Sequence, residues 1–175
     1  MTEKPEYVIL VDATGKKTGI EEKLTAHQKG LLHRAFSIFI FNHNKEILLQ
    51  RRAYSKYHFA GLWTNACCSH PGPGEKILHA AIRRLNEELG IAASLQIKEH
   101  ITYSFTDEKS GLIENEFDYL LTGTYNGRVA FNKEEVESIE WVSVPVLQKR
   151  INETPQHFTP WFLMAMEKAD LIFSD

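Results

Sequence analysis

The feature that most restricts the fold of this chain is a change of period near its middle. From Glu75 to Leu89 the apolar residues Ile77, Leu78, Ala81, Ile82, Leu85 and Leu89 recur at helical spacing. Pro73 and Gly74 precede the run, and Gly90 follows it as a C′ residue able to close a helix in the left-handed conformation. Elsewhere the pattern is that of strands. "YVILV" (7–11), "AFSIFIF" (35–41), "EILLQRR" (46–52), "LQIKEHITYSF" (95–105), "LIENEFDYLLTGTY" (112–125) and "SIEWVSV" (138–144) are rich in β-branched and aromatic residues. "DATGKKTG" reads as a turn after the first strand, and the segment 20–33 as polar and irregular. "NHNK" (42–45) predicts a hairpin between the second and third strands, and "DEKSG" (107–111) one between the fourth and fifth. Thr159-Pro160 predicts an N-cap and first position for a C-terminal helix from about Pro160 to Phe173. Helices interleaved irregularly with hairpins predict an α/β (α+β) fold with a mixed sheet, not a parallel βαβ repeat.

At 175 residues the chain is expected to form one domain spanning 1–175. A content of 43% hydrophobic and 25% charged residues is that of a globular protein, and no apolar run is long enough for a membrane span. The first residues do not read as a signal peptide, and two cysteines fit a reducing cytoplasm. A net charge of −3 argues against general nucleic-acid binding. An anionic ligand would need local cations, and Arg51-Arg52 with Lys56, and Arg83-Arg84, flank one segment, "WTNACCSHPGPGEK" (63–76).

That segment carries both cysteines. Cys67 and Cys68 admit several readings: small buried hydrophobes, a disulfide, whose geometry neighbouring residues rarely meet, ligands of a metal site that lacks a second cysteine pair, or a reactive thiolate tuned by His70 or a nearby cation. His70 follows Cys68 at strand spacing, so the two share a face, as do Glu114 and Glu116. His27, His33 and His70 with Glu114 and Glu116 would make an octahedral site for zinc or manganese. His43, His58, His79, His100 and His157 read as structural or surface residues. On the central helix Arg84 and Glu88 share a face, whereas Glu87 points about 100° round the axis.

The run from Glu75 to Ile91 resembles the Nudix box, G-x5-E-x7-R-E-U-x-E-E-x-G-U, with Glu75, Arg83, Leu85, Glu87, Glu88, Gly90 and Ile91 on the pattern. Ser69 replaces the first glycine, and Arg84 stands where the box has an acid. Losing that acid weakens the case for splitting a diphosphate, and gaining a guanidinium adds a donor for holding one. "GLLHRAFSIFIFN", "LLQRRAYSKYHFAGLWTNACCSHP", "SGLIENE" and "TPWFLMA" extend the likeness over roughly residues 7 to 170. Together they resemble the type 1 isopentenyl diphosphate isomerases of the Nudix superfamily, with Ser69 and Ala60 as local departures.

The resemblance implies a Nudix-like mixed sheet flanked by helices and interconversion of isopentenyl and dimethylallyl diphosphate. It implies Cys68 as the base, a thiolate whose pKa nearby cations would lower. It implies Glu116, assisted by Tyr103, as the proton donor. It implies His27, His33, His70, Glu114 and Glu116 as ligands of Mn²⁺ or Zn²⁺, and Glu88 as holding Mg²⁺ with the substrate diphosphate. Lys23, Arg52, Lys56 and Arg84 would bind the diphosphate, and Trp161 would line the hydrocarbon end. The expected enzyme is a cytoplasmic monomer or weak homodimer whose partner is a small prenyl diphosphate, with no nucleic acid or membrane involved.

Overall fold

The computed structural model describes residues 6–56 and 58–173. In chain order its elements are β1 (Tyr7–Val11), β2 (Lys17–Glu22), α1 (Lys23–Lys29), β3 (His33–Phe41), β4 (Glu46–Arg52), β5 (Trp63–Thr64) and β6 (Cys67–Ser69). There follow α2 (Ile77–Leu89), β7 (Leu95–Thr106), β8 (Ile113–Thr124), β9 (Val136–Ser143) and α3 (Val144–Glu153). A 3₁₀ turn (Pro155–His157), α4 (Pro160–Met166) and α5 (Ala169–Ile172) complete the order.

The sheet is organised by β3, which is buried from Ala35 to Ile40. A strand covered on both faces reads as a continuous apolar run rather than an alternation. It pairs in parallel with β8, from His33↔Glu116 to Phe41↔Thr124, and antiparallel with β6 at Phe36↔Ser69, Ser37↔Cys68 and Ile38↔Cys67. β7 lies antiparallel along β8, β9 along β4, and β2 along β1. The sheet is therefore mixed, as its irregular element order predicts.

Successive residues of β3 feed two cores, one on each face of the sheet. Phe36, Ile38 and Ile40 pack with Ala81, Leu85 and Leu89 of α2. Phe39 packs with Trp161, Phe162 and Ala165 of α4 and with Tyr103 of β7. A fully buried leucine such as Leu85 contributes about 1.5–3 kcal/mol relative to its exposed state. Gly90 closes α2 at φ 64°, and a Cβ there would lie 3.0 Å from the Ala130 carbonyl oxygen.

Several expectations change. The hairpin at 42–45 exists as a turn, in which Asn42 Oδ1 accepts the Asn44 and Glu46 N–H groups at 2.9 and 3.0 Å. Beyond it β3 and β4 pair only at Phe41↔Ile47, because their long partners are β8 and β9. The stretch 20–33, expected to be irregular, holds the end of β2, the helix α1 and the start of β3, and β2 also takes in the last three residues of the expected turn at 12–19. β2 lacks an apolar alternation because it is mostly solvent-facing, and α1 buries only Ala26 and His27. On α2 the buried stripe is rotated, so Leu78 and Ile82 remain 38% and 40% exposed while Glu88 is buried. α3 is an additional helix, with proline in its first turn. The C-terminal helix breaks at Glu167 and Lys168, whose N–H groups bond three residues back, to the Met164 and Ala165 carbonyls. The Thr159 hydroxyl donates to Thr64 Oγ1 at 2.9 Å rather than capping α4. No helix of the described residues is long and apolar enough to cross a membrane.

Candidate active site

Pairing registers bring the distant motifs together. His33 opens β3 directly beside Glu116 of β8, and Tyr103 of β7 faces Glu116 from the other side. Two residues back along the strand, Glu114 shares that face. β6 runs beside β3 and delivers His70 just beyond its end. α1 supplies His27. One ligand atom from each of His27, His33, His70, Glu114 and Glu116 lies within 4.8 Å of every other.

The outer contacts of these side chains fix how they face inward. His27 Nδ1 meets the Lys23 carbonyl at 2.6 Å, and His33 Nδ1 meets the Leu31 carbonyl at 2.7 Å. A carbonyl only accepts, so Nδ1 carries the proton on both rings and each Nε2 presents a lone pair to the cluster. His27 Nε2 is buried without a hydrogen-bond partner, 3.3 Å from Glu114 Oε2. His70 Nε2 lies 2.7 Å from Glu116 Oε1 and 3.2 Å from His33 Nε2. The Tyr103 hydroxyl donates to Glu116 Oε2. Three imidazoles and two carboxylates converging with bare lone pairs form a donor set that fits a divalent cation.

Electrostatics follow the same pattern. Burial opposes ionisation of Glu116, but His70 and His33 outweigh it and hold the carboxyl well below its usual range. Burial pulls His70 down to about 4, against the pull of Glu116, so its ring is neutral at physiological pH. Burial, with Glu116 adding to it, drives the Tyr103 phenol well above its usual value.

Cys68 departs from expectation. Burial first, and the Asp118 carboxylate second, push its thiol up to about 12. Its neighbours are neutral: Sγ lies 3.0 Å from Asn65 Oδ1, to which the thiol donates, 3.1 Å from the Trp161 indole N–H and 3.5 Å from Ser37 Oγ. No cation of the described residues is among the contacts that shift it, so the free protein holds a protonated thiol. Cys67, one residue away, points into the α2 core and is fully buried.

One cavity is lined by Cys68, His70, Glu114, Glu116, Tyr103, Trp161, Glu88, Lys23, Arg52, Lys56 and Arg84; His27 and His33 lie behind its wall. Arg84 donates to Glu88 Oε1 at 2.6 Å, while Gln50 donates to Glu88 Oε2 at 3.1 Å. Glu87 also contacts Arg84, at 2.8 Å. Lys23 pairs with Glu6 at 2.8 Å, and Lys56 pairs with Glu135. The Arg52 guanidinium lies over the Trp161 ring at 5.3 Å, so this ring face already carries a cation.

Three lining residues escaped the sequence reading: Gln50, His58 and Glu135. Gln50 lies on the predicted strand β4, but nothing in its pattern marks it. Glu135 follows the turn before β9, with no periodicity to aim it. His58, taken as structural or surface, lies 2.5 Å from Glu114 Oε1. It sits in an irregular loop, where spacing carries no facing information.

The chain matches the family model of the NUDIX domain over residues 31–162. It is 48% identical over 162 residues to the isopentenyl-diphosphate Delta-isomerase of Serratia proteamaculans, covering 93% of this chain and 90% of that one. It is 45% identical over 163 residues to isopentenyl-diphosphate Delta-isomerase 1 of Aromatoleum aromaticum, covering 93% and 92%. Among solved structures, the NUDIX domain of Shewanella oneidensis NrtR shares the fold with a TM-score of 0.59 at 16% identity, over 79% of this chain and 85% of that one. A mixed sheet flanked by helices, a motif helix whose arginine holds its own glutamate, and near full-length identity place this chain in the isopentenyl-diphosphate Delta-isomerase family of NUDIX-domain proteins.

Proposed function

We propose that this chain, as a single domain, interconverts isopentenyl and dimethylallyl diphosphate by a 1,3 proton shift. The observation that carries the reading is one cavity lined both by Cys68, Glu116, Tyr103 and Trp161 and by Lys23, Arg52, Lys56 and Arg84. The first set suits a short hydrocarbon tail and proton transfer; the second suits a diphosphate.

An unactivated alkene is a weak base, so the donor must be positioned and water kept out. On the carboxylate side, Glu116 shares a hydrogen bond with Tyr103 and would deliver a proton to the terminal methylene. The tertiary carbocation that results would face the Trp161 ring, an interaction of ~2 kcal/mol or more when desolvated. Cys68 would take the proton from the allylic carbon, completing general acid–base catalysis. At rest the proton is on the Cys68 thiol and Glu116 is ionised, so in that direction Cys68 must first lose a proton and Glu116 gain one. Starting from dimethylallyl diphosphate, the resting thiol and carboxylate already stand as donor and acceptor.

His27, His33, His70, Glu114 and Glu116 would hold Mn²⁺ or Zn²⁺. Bound there, such an ion supplies Lewis acidity that makes a neighbouring proton more acidic. Glu88, steered by Gln50 and Arg84, would hold Mg²⁺ against the diphosphate, for which oxygen ligands are suited. Arg84 and the lysines would keep the diphosphate from leaving as an ion. The enzyme would act in the cytoplasm as a monomer or weak homodimer, without nucleic acid or membrane.

Incubation with isopentenyl diphosphate and divalent metal in D₂O tests the reading. Deuterium should enter the new methyl group of dimethylallyl diphosphate. Recovery of unlabelled isopentenyl diphosphate, with phosphate or pyrophosphate released instead, would favour hydrolysis and end it.

A further inference from the structure

We propose that His58 positions Glu114 for metal binding, fixing one carboxylate oxygen so that the other faces His27. The inference rests on the reading of the His/Glu cluster as a metal site. His58 is not among the five converging ligands. Its Nε2 lies 2.5 Å from Glu114 Oε1, while Glu114 Oε2 lies 3.3 Å from His27 Nε2. The carboxylate thus has one oxygen turned outward and one turned inward.

The other ligands show why this matters. His27 has the Lys23 carbonyl on its outer nitrogen, His33 has the Leu31 carbonyl, and Glu116 has the Tyr103 hydroxyl on its outer oxygen. Such partners fix the orientation of a ligand and the atom it presents. Glu114 is the member of this set whose outer partner lies farthest away in sequence, in the loop between β4 and β5. Unassisted, a glutamate can turn about its terminal torsion and exchange its two oxygens.

The loop between β4 and β5 is itself held in place. The His58 carbonyl accepts from Arg52 Nη2 at 3.2 Å. The His58 ring meets Phe59 edge-on at 5.6 Å, and Phe59 meets Trp161 edge-on at 5.2 Å. Phe59 adopts φ 48°, a left-handed conformation that a bulky residue keeps only where surrounding contacts impose it. These contacts aim the imidazole at Glu114, with its side chain only 10% exposed.

The test is zinc affinity of the full chain, measured by competition with a chromophoric chelator. His58→Ala and His58→Phe, the second keeping ring volume without a donor, should each weaken binding by about 10- to 100-fold. His58→Gln, which retains an N–H donor, should recover most of that loss. Wild-type affinity in His58→Ala or His58→Phe, alongside loss of zinc by His27→Ala, would overturn the role of His58 alone. Equal loss in His58→Ala and His58→Gln, with none in His58→Phe, would assign the effect to packing and overturn it too. Wild-type affinity in His27→Ala would overturn the metal reading itself.

Discussion

Two sets of side chains at the cavity are built on opposite plans. In the carboxylate set, strand registers set His33 and Tyr103 against Glu116 and turn bare nitrogens inward. Those side chains are buried and held from behind. In the cation set the groups are long and come from α1, β4, a loop and α2, and each has a partner within the chain: Glu6 for Lys23, Trp161 for Arg52, Glu135 for Lys56, Glu87 and Glu88 for Arg84. One set is aimed by its outer contacts; the other is paired in advance. Ordering a free lysine or arginine costs up to about 2 kcal/mol in rotamer entropy. Internal pairing offsets part of that cost, and an anion bound as proposed would have to displace a carboxylate.

The contrast can be broken most sharply at Cys68 and Glu116, the proposed proton-transfer pair. Cys68→Ala and Glu116→Gln should each lower kcat by about 10²–10⁴-fold, with circular dichroism showing a retained fold. Near-full turnover in either variant would remove that residue from the chemistry. Leu85→Ala, beneath the helix that carries Arg84 and Glu88, should cost about 2–5 kcal/mol in denaturant unfolding. A smaller loss would mean that α2 is seated by its ion pairs rather than by its apolar stripe. Arg84→Ala removes charge-assisted hydrogen bonds of about 1.5–3 kcal/mol. KM for isopentenyl diphosphate should rise by roughly 10- to 150-fold while kcat changes little; the reverse split would place Arg84 at the reacting end.

Glu135→Gln sharpens the comparison by its sign. Burial opposes ionisation of Glu135, but Lys56 outweighs it and keeps the acid charged. Removing that charge frees Lys56 and Arg84 for an external anion. Inorganic pyrophosphate should bind about two- to fivefold tighter, as expected for a partly exposed pair of about 0.2–1 kcal/mol. Weaker binding would show that Glu135 orders the cations rather than competing for them. Least of all, Ile82→Ala on the exposed side of α2 should change stability by no more than about 0.5 kcal/mol.

Legibility in the sequence followed the source of each side chain. Cys68 with His70, and Glu114 with Glu116, could be paired because a strand repeats every two residues. Arg84 and Glu88 could be paired because a helix brings the fourth residue round. His27 and His33 lie in a stretch without apolar rhythm, and there the resemblance rather than the spacing singled them out. Glu135 had neither a rhythm nor a motif, and His58, though inside a quoted stretch, had no spacing to aim it. The protonation of Cys68 could not be read either, because it depends on Asp118, fifty residues away in sequence, and on the neutral groups around the sulfur.

Taken alone, the residues of this chain determined its local periods, the stop of its central helix, its mixed-sheet class and the pairs that share a face, since these rest on geometry repeated within a few residues. Only the tertiary structure decided which faces meet, which oxygen of Glu114 points inward, and where the charge of Arg84 is spent. Those outcomes depend on registers between strands far apart in the chain and on burial, and neither is carried by a local pattern.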